Sequence, residues 1–166
     1  MADQRSRTHS WVDPHELDKA GRGVSGLDFT TGLLLAGEAG RMPIATTIGF
    51  RLAEVAEGYV VFVGELGEHL YNPIGVVHGG VAATLLDSAA GSAVQTTLPA
   101  GTAYTSLDLS VHFLRPLTAD LGPIRAIGTV LNRGRRTALG QAEIRDSADR
   151  LLAHATSSCL LFPAEP

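Results

Sequence analysis

The sequence predicts an α+β fold: one long central helix wrapped by an antiparallel β-sheet, behind a helical N-terminal flank. Residues 79–94 are small and apolar around the whole helical circumference, which is the composition of a buried helix. Residues 105–115 alternate instead, with Leu107, Leu109, Val111 and Phe113 on one side and Ser106, Asp108, Ser110 and His112 on the other. Strand-like segments separated by turn residues lie on both sides of the helix.

Taken in order, residues 1–10 are polar and read as a mobile tail. Asp13-Pro14 is a cap and first-turn pair for a helix over 15–20, and Ser25-Gly26 opens a second over 27–37. Pro43 is expected to end that second helix. From Ile48 the period shifts toward two, giving a hairpin of 48–55 and 59–65 around Ala56-Glu57-Gly58, with a short strand at 69–71. Asn72-Pro73-Ile74-Gly75 makes a turn into the long helix, which should stop near Thr97, before Pro99 and Gly101. Four strands follow, at 105–115, 122–132, 136–146 and 151–162, with turns at Gly134 and Ala148-Asp149. The expected division is a flank at 1–45 and a single catalytic-size domain at 46–166.

Composition narrows the function. A chain of 166 residues with 45% hydrophobic and 18% charged residues carries more apolar surface than one small domain needs, which points to oligomerisation. The net charge of −4 argues against nucleic-acid binding, and no uninterrupted apolar stretch of about 18 residues suggests a membrane span. The N-terminus lacks an apolar signal core, so the expected location is cytoplasmic. With Cys159 the single cysteine and the six histidines scattered, neither a disulfide nor a metal site is expected.

Asp87 is the only charged residue between His78 and Asp108. A carboxylate on so apolar a helix is costly unless it is hydrogen-bonded, hydrated in a cleft or used chemically. His78-Gly79-Gly80 stands at the start of the same helix. An uncapped helix start would offer free N–H groups and a positive dipole end to a developing oxyanion, and the two glycines would let a substrate approach the backbone. Asp87 would then be the base or nucleophile.

Asn72 six residues before His78, Asp87 eight residues after Gly79, and the later Ser106-x-Asp108 together resemble the hotdog-fold acyl-CoA thioesterases of the phenylacetate-pathway, PaaI-like type, over about residues 45–162. The resemblance implies that the Gly79 N–H polarises the thioester carbonyl and that Asp87 attacks it or activates water. It further implies that Asn72 and His78 orient the substrate and that Ser106 places the water or carboxylate. Whether Asp87 is nucleophile or general base stays open.

Gly79 and Asp87 are separated by about 12 Å along a helix axis, too far to bracket one carbonyl, so the working site should join two subunits. The resemblance implies a homodimer as the minimal active unit, pairing again into a tetramer. Asn132, Arg133, Gly134, Arg135 and Arg136 form a cationic turn, with Arg115 expected nearby, suited to the phosphates of coenzyme A. Coenzyme A enters as part of the substrate, and no separate cofactor is expected. Ala82, Ala83, Ala89, Ala90 and Gly91 leave room beside the helix for an aryl or medium-chain acyl group.

Plainer readings stand beside these. Asp87 could pair with a neighbouring strand, Asn72 could serve only the turn before Pro73, and Ser106 could satisfy its own strand. Two other functions fit the same fold. A non-catalytic acyl-CoA sensor would need no acid on the helix, and a hydroxyacyl-thioester dehydratase would need a different acid and base pattern after His78.

Overall fold

The computed structural model describes residues 4–164, so the first three residues of the polar tail lie outside the described residues. The rest of that tail is extended and anchored: Arg5 pairs with Glu68, and Arg7 reaches His69 and donates to the Thr47 carbonyl at 3.2 Å.

Helix α1, Pro14–Gly21, is capped by the Asp13 carboxylate, which accepts from the His15 N–H at 2.9 Å. Helix α2, Gly26–Ala36, is capped by Ser25. A 3₁₀ turn, Gly37–Gly40, then leads to a third helix, α3, Pro43–Ile48. Pro43 was expected to end the second helix, which already stops at Ala36; Pro43 opens a helix instead, because at the first helical position its missing N–H has no partner to lose. Ala45 and Ile48 of α3 are buried in the main core.

Strands β1, Phe50–Ala56, and β2, Tyr59–Glu65, form the expected hairpin about Gly58. The strand expected at 69–71 is a 3₁₀ turn, Glu68–Leu70, followed by a single bridge between Tyr71 and Val77. Helix α4, Gly79–Gln95, is the long central helix. After it come β3, Thr102–Ser106; β4, Ser110–Phe113; β5, Pro123–Arg133; β6, Thr137–Arg145; and β7, Leu151–Pro163. The antiparallel sheet runs β1-β2-β5-β6-β7-β3, with β4 also on β7.

One strand was expected at 105–115, and the structure makes two. The ladder to β7 shifts by one residue between Ser106, opposite Cys159, and Ser110, opposite Thr156. Asp108 fills the break: its carboxylate accepts from the Ser158 N–H at 3.1 Å, and its carbonyl accepts from the Ser157 hydroxyl at 2.8 Å. Leu109 and Val111 pack on the core as the alternation expects, whereas Leu107, in the break, and Phe113, at the end of β4, are exposed.

Helix α4 lies across the inner face of β2, β5, β6 and β7. Leu85, Leu86, Ala89, Ala90, Ala93 and Val94 are fully buried there. The approach is so close that a Cβ on Gly128 would stand 2.0 Å from the Ala89 carbonyl oxygen, and one on Gly140 would stand 3.0 Å from that of Ala90. The α2 flank meets the other end of α4, with the Gly26 N–H donating to the Leu98 carbonyl at 2.9 Å.

Gly128→Ala should therefore destabilise the fold by about 1–3 kcal/mol, because the clashing atom is helix backbone and cannot rotate away. Gly32→Ala, where nothing lies within 4 Å of the new methyl, should instead stabilise by about 0.4–1 kcal/mol. Urea unfolding of the two variants checks both signs.

A second expectation concerns the β6–β7 turn, where Asp146 is buried. Its carboxylate accepts from the N–H groups of Ala148 at 3.0 Å and Arg150 at 2.9 Å and from the Arg150 guanidinium at 2.7 Å. Burial pushes its pKa up, but the Arg150 and Ala148 bonds outweigh that and hold the group below the ordinary 3.8. A folded-state pKa below the unfolded one adds stability above the unfolded value and loses it as pH falls through the folded one. Asp146→Asn should thus lower stability at neutral pH and flatten the acid limb of a stability-against-pH profile below about pH 4.

Candidate active site

The loop before α4 is fixed by its own polar groups. The Asn72 side-chain oxygen accepts from the N–H groups of Ile74 at 3.1 Å and Val76 at 3.3 Å, so this residue does serve the turn. The Val77 N–H donates to the Leu117 carbonyl at 2.9 Å and the His78 N–H to the Leu70 carbonyl at 2.8 Å, tying the helix start to the β4–β5 connection and to the 3₁₀ turn.

His78 is the N-cap of α4, and its Nδ1 accepts from the Gly80 N–H at 2.9 Å. The helix start was expected to be uncapped. The correction is physical: an N-cap imidazole takes one of the orphan donors, and it can do so only with Nδ1 unprotonated. The Gly79 N–H has no acceptor among the described residues. Gly79 lines a cleft of about 330 Å³ with Asn72, Val77, Phe113, Leu114 and Arg115. The Phe113 ring covers it so closely that a Cβ on Gly79 would lie 3.2 Å from Cζ.

Asp87 sits further along α4, half-buried, and its carboxylate accepts from the Ser106 hydroxyl at 3.0 Å. An open cleft of about 370 Å³ surrounds the pair, with Ala83 and Thr84 on the helix side and Leu107 and Leu109 on the strand side. Two protonated groups lie behind it. Burial, then the Cys159 and Asp87 charges, keep the Tyr104 phenol well above its ordinary value. Burial likewise pushes the Cys159 thiol up, opposed by bonds from Ser157 and Ser106 and reinforced by the Asp87 and Asp108 charges.

The sequence model described as thioesterase superfamily matches residues 74–153. The 1,4-dihydroxy-2-naphthoyl-CoA hydrolase of Listeria monocytogenes is 26% identical over 111 residues, 67% of this chain and 89% of that one. The PaaI protein of Escherichia coli, from the phenylacetic acid degradation operon, shares the fold with a TM-score of 0.71 at 21% identity, over 84% of this chain and 95% of that one. A phenylacetic acid degradation-related protein from Ralstonia eutropha is 30% identical over 78% of this chain and 97% of its own, with a TM-score of 0.68. The chain belongs to the thioesterase superfamily. It has the hotdog fold and is a thioester hydrolase.

Within this thioesterase, the structure joins Asp87 to Ser106 and places Asn72, Gly79 and Arg115 on one cleft. His78 faces an adjoining cleft with His69, Gly80 and Thr84. Gly79 and Asp87 remain about 12 Å apart along the helix. Arg115 was expected near the cationic turn, and it is not. It donates to the Leu151 carbonyl at one end of β7, whereas the turn of Gly134, Arg135 and Arg136 adjoins Leu160 and Leu161 at the other. Nine strand residues put those two places about 30 Å apart. Asn132 and Arg133 end β5 at that turn, and all three of its arginines are exposed with no side-chain partner among the described residues.

Two lining residues and one neighbouring ring escaped the sequence reading. Thr84 lines the clefts of both His78 and Asp87, and its position three residues before Asp87 is a usable helical signal. Phe113 reads from sequence only as an apolar strand position, and Tyr104 lies outside the strand expected at 105–115; nothing in a strand pattern says which ring covers a helix glycine.

His78→Ala should cost about 0.5–2 kcal/mol through loss of the cap, and His78→Asn should restore most of it. If His78 also orients substrate, His78→Asn regains stability in urea unfolding but not kcat/KM; recovery of both would reduce its role to the cap.

Proposed function

We infer that this thioesterase hydrolyses acyl-coenzyme A, with an aryl, aryl-acetyl or medium-chain acyl group, to the carboxylate and free coenzyme A. The observation that carries the reading is the division of the machinery along α4. An unpaired N–H at Gly79 can polarise the thioester carbonyl, and a serine-tethered carboxylate at Asp87 can attack it or deprotonate water. One chain cannot close both on a single carbonyl across about 12 Å. The Asp87 that completes the site therefore comes from a second copy of the chain. The exposed edge of β3 and β4 supports this, because its Leu107, Phe113 and Leu114 stand beside both clefts.

In this reading Asn72 keeps the loop shaped through its side-chain oxygen while its side-chain amide nitrogen serves the substrate, and His78 holds the helix start. Ser106 fixes the Asp87 carboxylate. Coenzyme A is bound at two cationic rims, Arg115 beside the Gly79 cleft and Asn132, Arg133, Gly134 and Arg135 at the β5–β6 turn. The 1,4-dihydroxy-2-naphthoyl-CoA hydrolase among the relatives supports an aryl thioester of coenzyme A as the substrate class.

Thiol release from a panel of aryl-acetyl-, aroyl- and linear acyl-coenzyme A thioesters tests the activity. Asp87→Asn should lower kcat by two or more orders of magnitude while remaining folded, about 3 kcal/mol of transition-state stabilisation or more. Gly79→Pro should do the same, since proline at the first helical position removes the N–H without breaking the helix. Each variant alone is inactive in this scheme. Mixed and reassembled, half the dimers are hybrids with one intact site of two, restoring about a quarter of wild-type turnover. A mixture that stays inactive although hybrids form would place both groups in one chain; tight thioester binding without release by the wild type would favour the sensor.

A further inference from the structure

The sequence offers open space beside α4 at Ala89, Ala90 and Gly91, but the fold uses that space. Ala89 and Ala90 are fully buried against Gly128 and Gly140 of the sheet. Gly91 is covered by Tyr104: a Cβ there would stand 2.5 Å from the phenol oxygen, 3.0 Å from Cε2 and 3.1 Å from Cζ. The phenol therefore fits only because residue 91 has no side chain.

The placement of this contact follows from how α4 and β3 pass each other. Ala83 and Thr84 face Leu107 to Leu109 across the cleft, and Asp87 faces Ser106. One helical turn beyond Asp87 is Gly91, and two strand residues before Ser106, on the same strand face, is Tyr104. The cleft lining thus stops at the acid, and the next pair along both elements is in contact. Behind the ring lies a small, separate apolar cluster of Val94, Leu98, Ala138, Cys159 and Leu161, against which Tyr104 packs.

We propose that the Tyr104–Gly91 contact is the end wall of the acyl-binding cleft and sets the length of acyl group that this thioesterase accepts. The inference rests on the reading that the thioester carbonyl is attacked at Asp87. An acyl group held there can fill the cleft beside Ala83, Thr84, Leu107 and Leu109, but it cannot run on between α4 and β3. The substrate class is accordingly compact, an aryl or short acyl group. Removing the phenol would open an apolar extension toward Val94, Leu98 and Leu161 that accepts methylenes.

The test is the ratio of kcat/KM for dodecanoyl- to butyryl-coenzyme A in the wild type, Tyr104→Phe and Tyr104→Ala. Discrimination of about 10-fold or more for each methylene that a pocket gains or rejects is usual, so Tyr104→Ala should raise the ratio by at least about 10-fold, chiefly through a lower KM for the long chain. Tyr104→Phe keeps the wall and should leave the ratio at its wild-type value. An unchanged ratio in folded Tyr104→Ala, or an equal rise in Tyr104→Phe, overturns the proposal. Should Tyr104→Ala not fold, Tyr104→Val reads the same ratio with a smaller loss of packing. Asp87→Asn measured on both substrates separates the two levels of inference. Full turnover without the acid overturns the assignment of the reaction to Asp87, whereas acid-dependent turnover with an unmoved ratio overturns only the end wall.

Discussion

The architecture depends on how near α4 comes to the sheet. Backbone rests almost directly on backbone where Gly128 meets Ala89 and Gly140 meets Ala90, and the intervening positions are alanines on both surfaces. A seam of small residues gives little apolar area per residue but many short contacts, and it fixes the helix in height and rotation. Rotation is what matters for chemistry. With Leu85, Leu86, Ala89, Ala90 and Ala93 turned wholly inward, Thr84 and Asp87 are carried to the rim on the β3 side.

The same constraint explains why the candidate site lies at an edge. A helix pressed this tightly to β2, β5, β6 and β7 leaves no room for a ligand beneath it, so the space remaining is along β3 and β4, beside the break in their ladder to β7. Asp108 bridges that break by taking the Ser158 N–H that a regular ladder would have used. Leu107, in that break, and Phe113, at the end of β4, stay exposed, and both become walls of clefts.

The central helix, the hairpin before it and the long strands after it were legible because each rests on a period that burial enforces: apolar residues all round α4, alternation along β5, β6 and β7. The Asp87–Ser106 pair and the glycines at the helix start were legible as a constellation whose spacing was specific. What escaped depends on tertiary contact. Pro43 can stop a helix or start one, and only the burial of Ala45 and Ile48 decides. The break at 107–109 follows from an aspartate side chain substituting for a backbone acceptor, which a strand pattern cannot show. Arg115 seemed close to Arg133 because strand ends were counted without the direction of β7, and the alanines beside Asp87 suggested space that the sheet glycines had already filled.

The setting of Asp87 bears on its chemistry. Its orienting partner is a neutral hydroxyl, the Ser106 side chain, so the carboxylate is positioned by a hydrogen bond rather than by an ion pair. The nearest buried groups behind it, Tyr104 and Cys159, are both pushed toward their protonated forms, so neither contributes a competing negative charge or a competing nucleophile. Buried thiol and phenol therefore act as walls, and the charged groups lining the cleft are the carboxylates of Asp87 and Asp108, the latter held by the Ser158 N–H. In the proposed reaction the carbonyl would have to be polarised from elsewhere, since among the described residues no cation lines the cleft of Asp87. A helix N-terminus from a second chain would do so with a neutral dipole, which can stabilise an oxyanion without pairing off the proposed catalytic carboxylate.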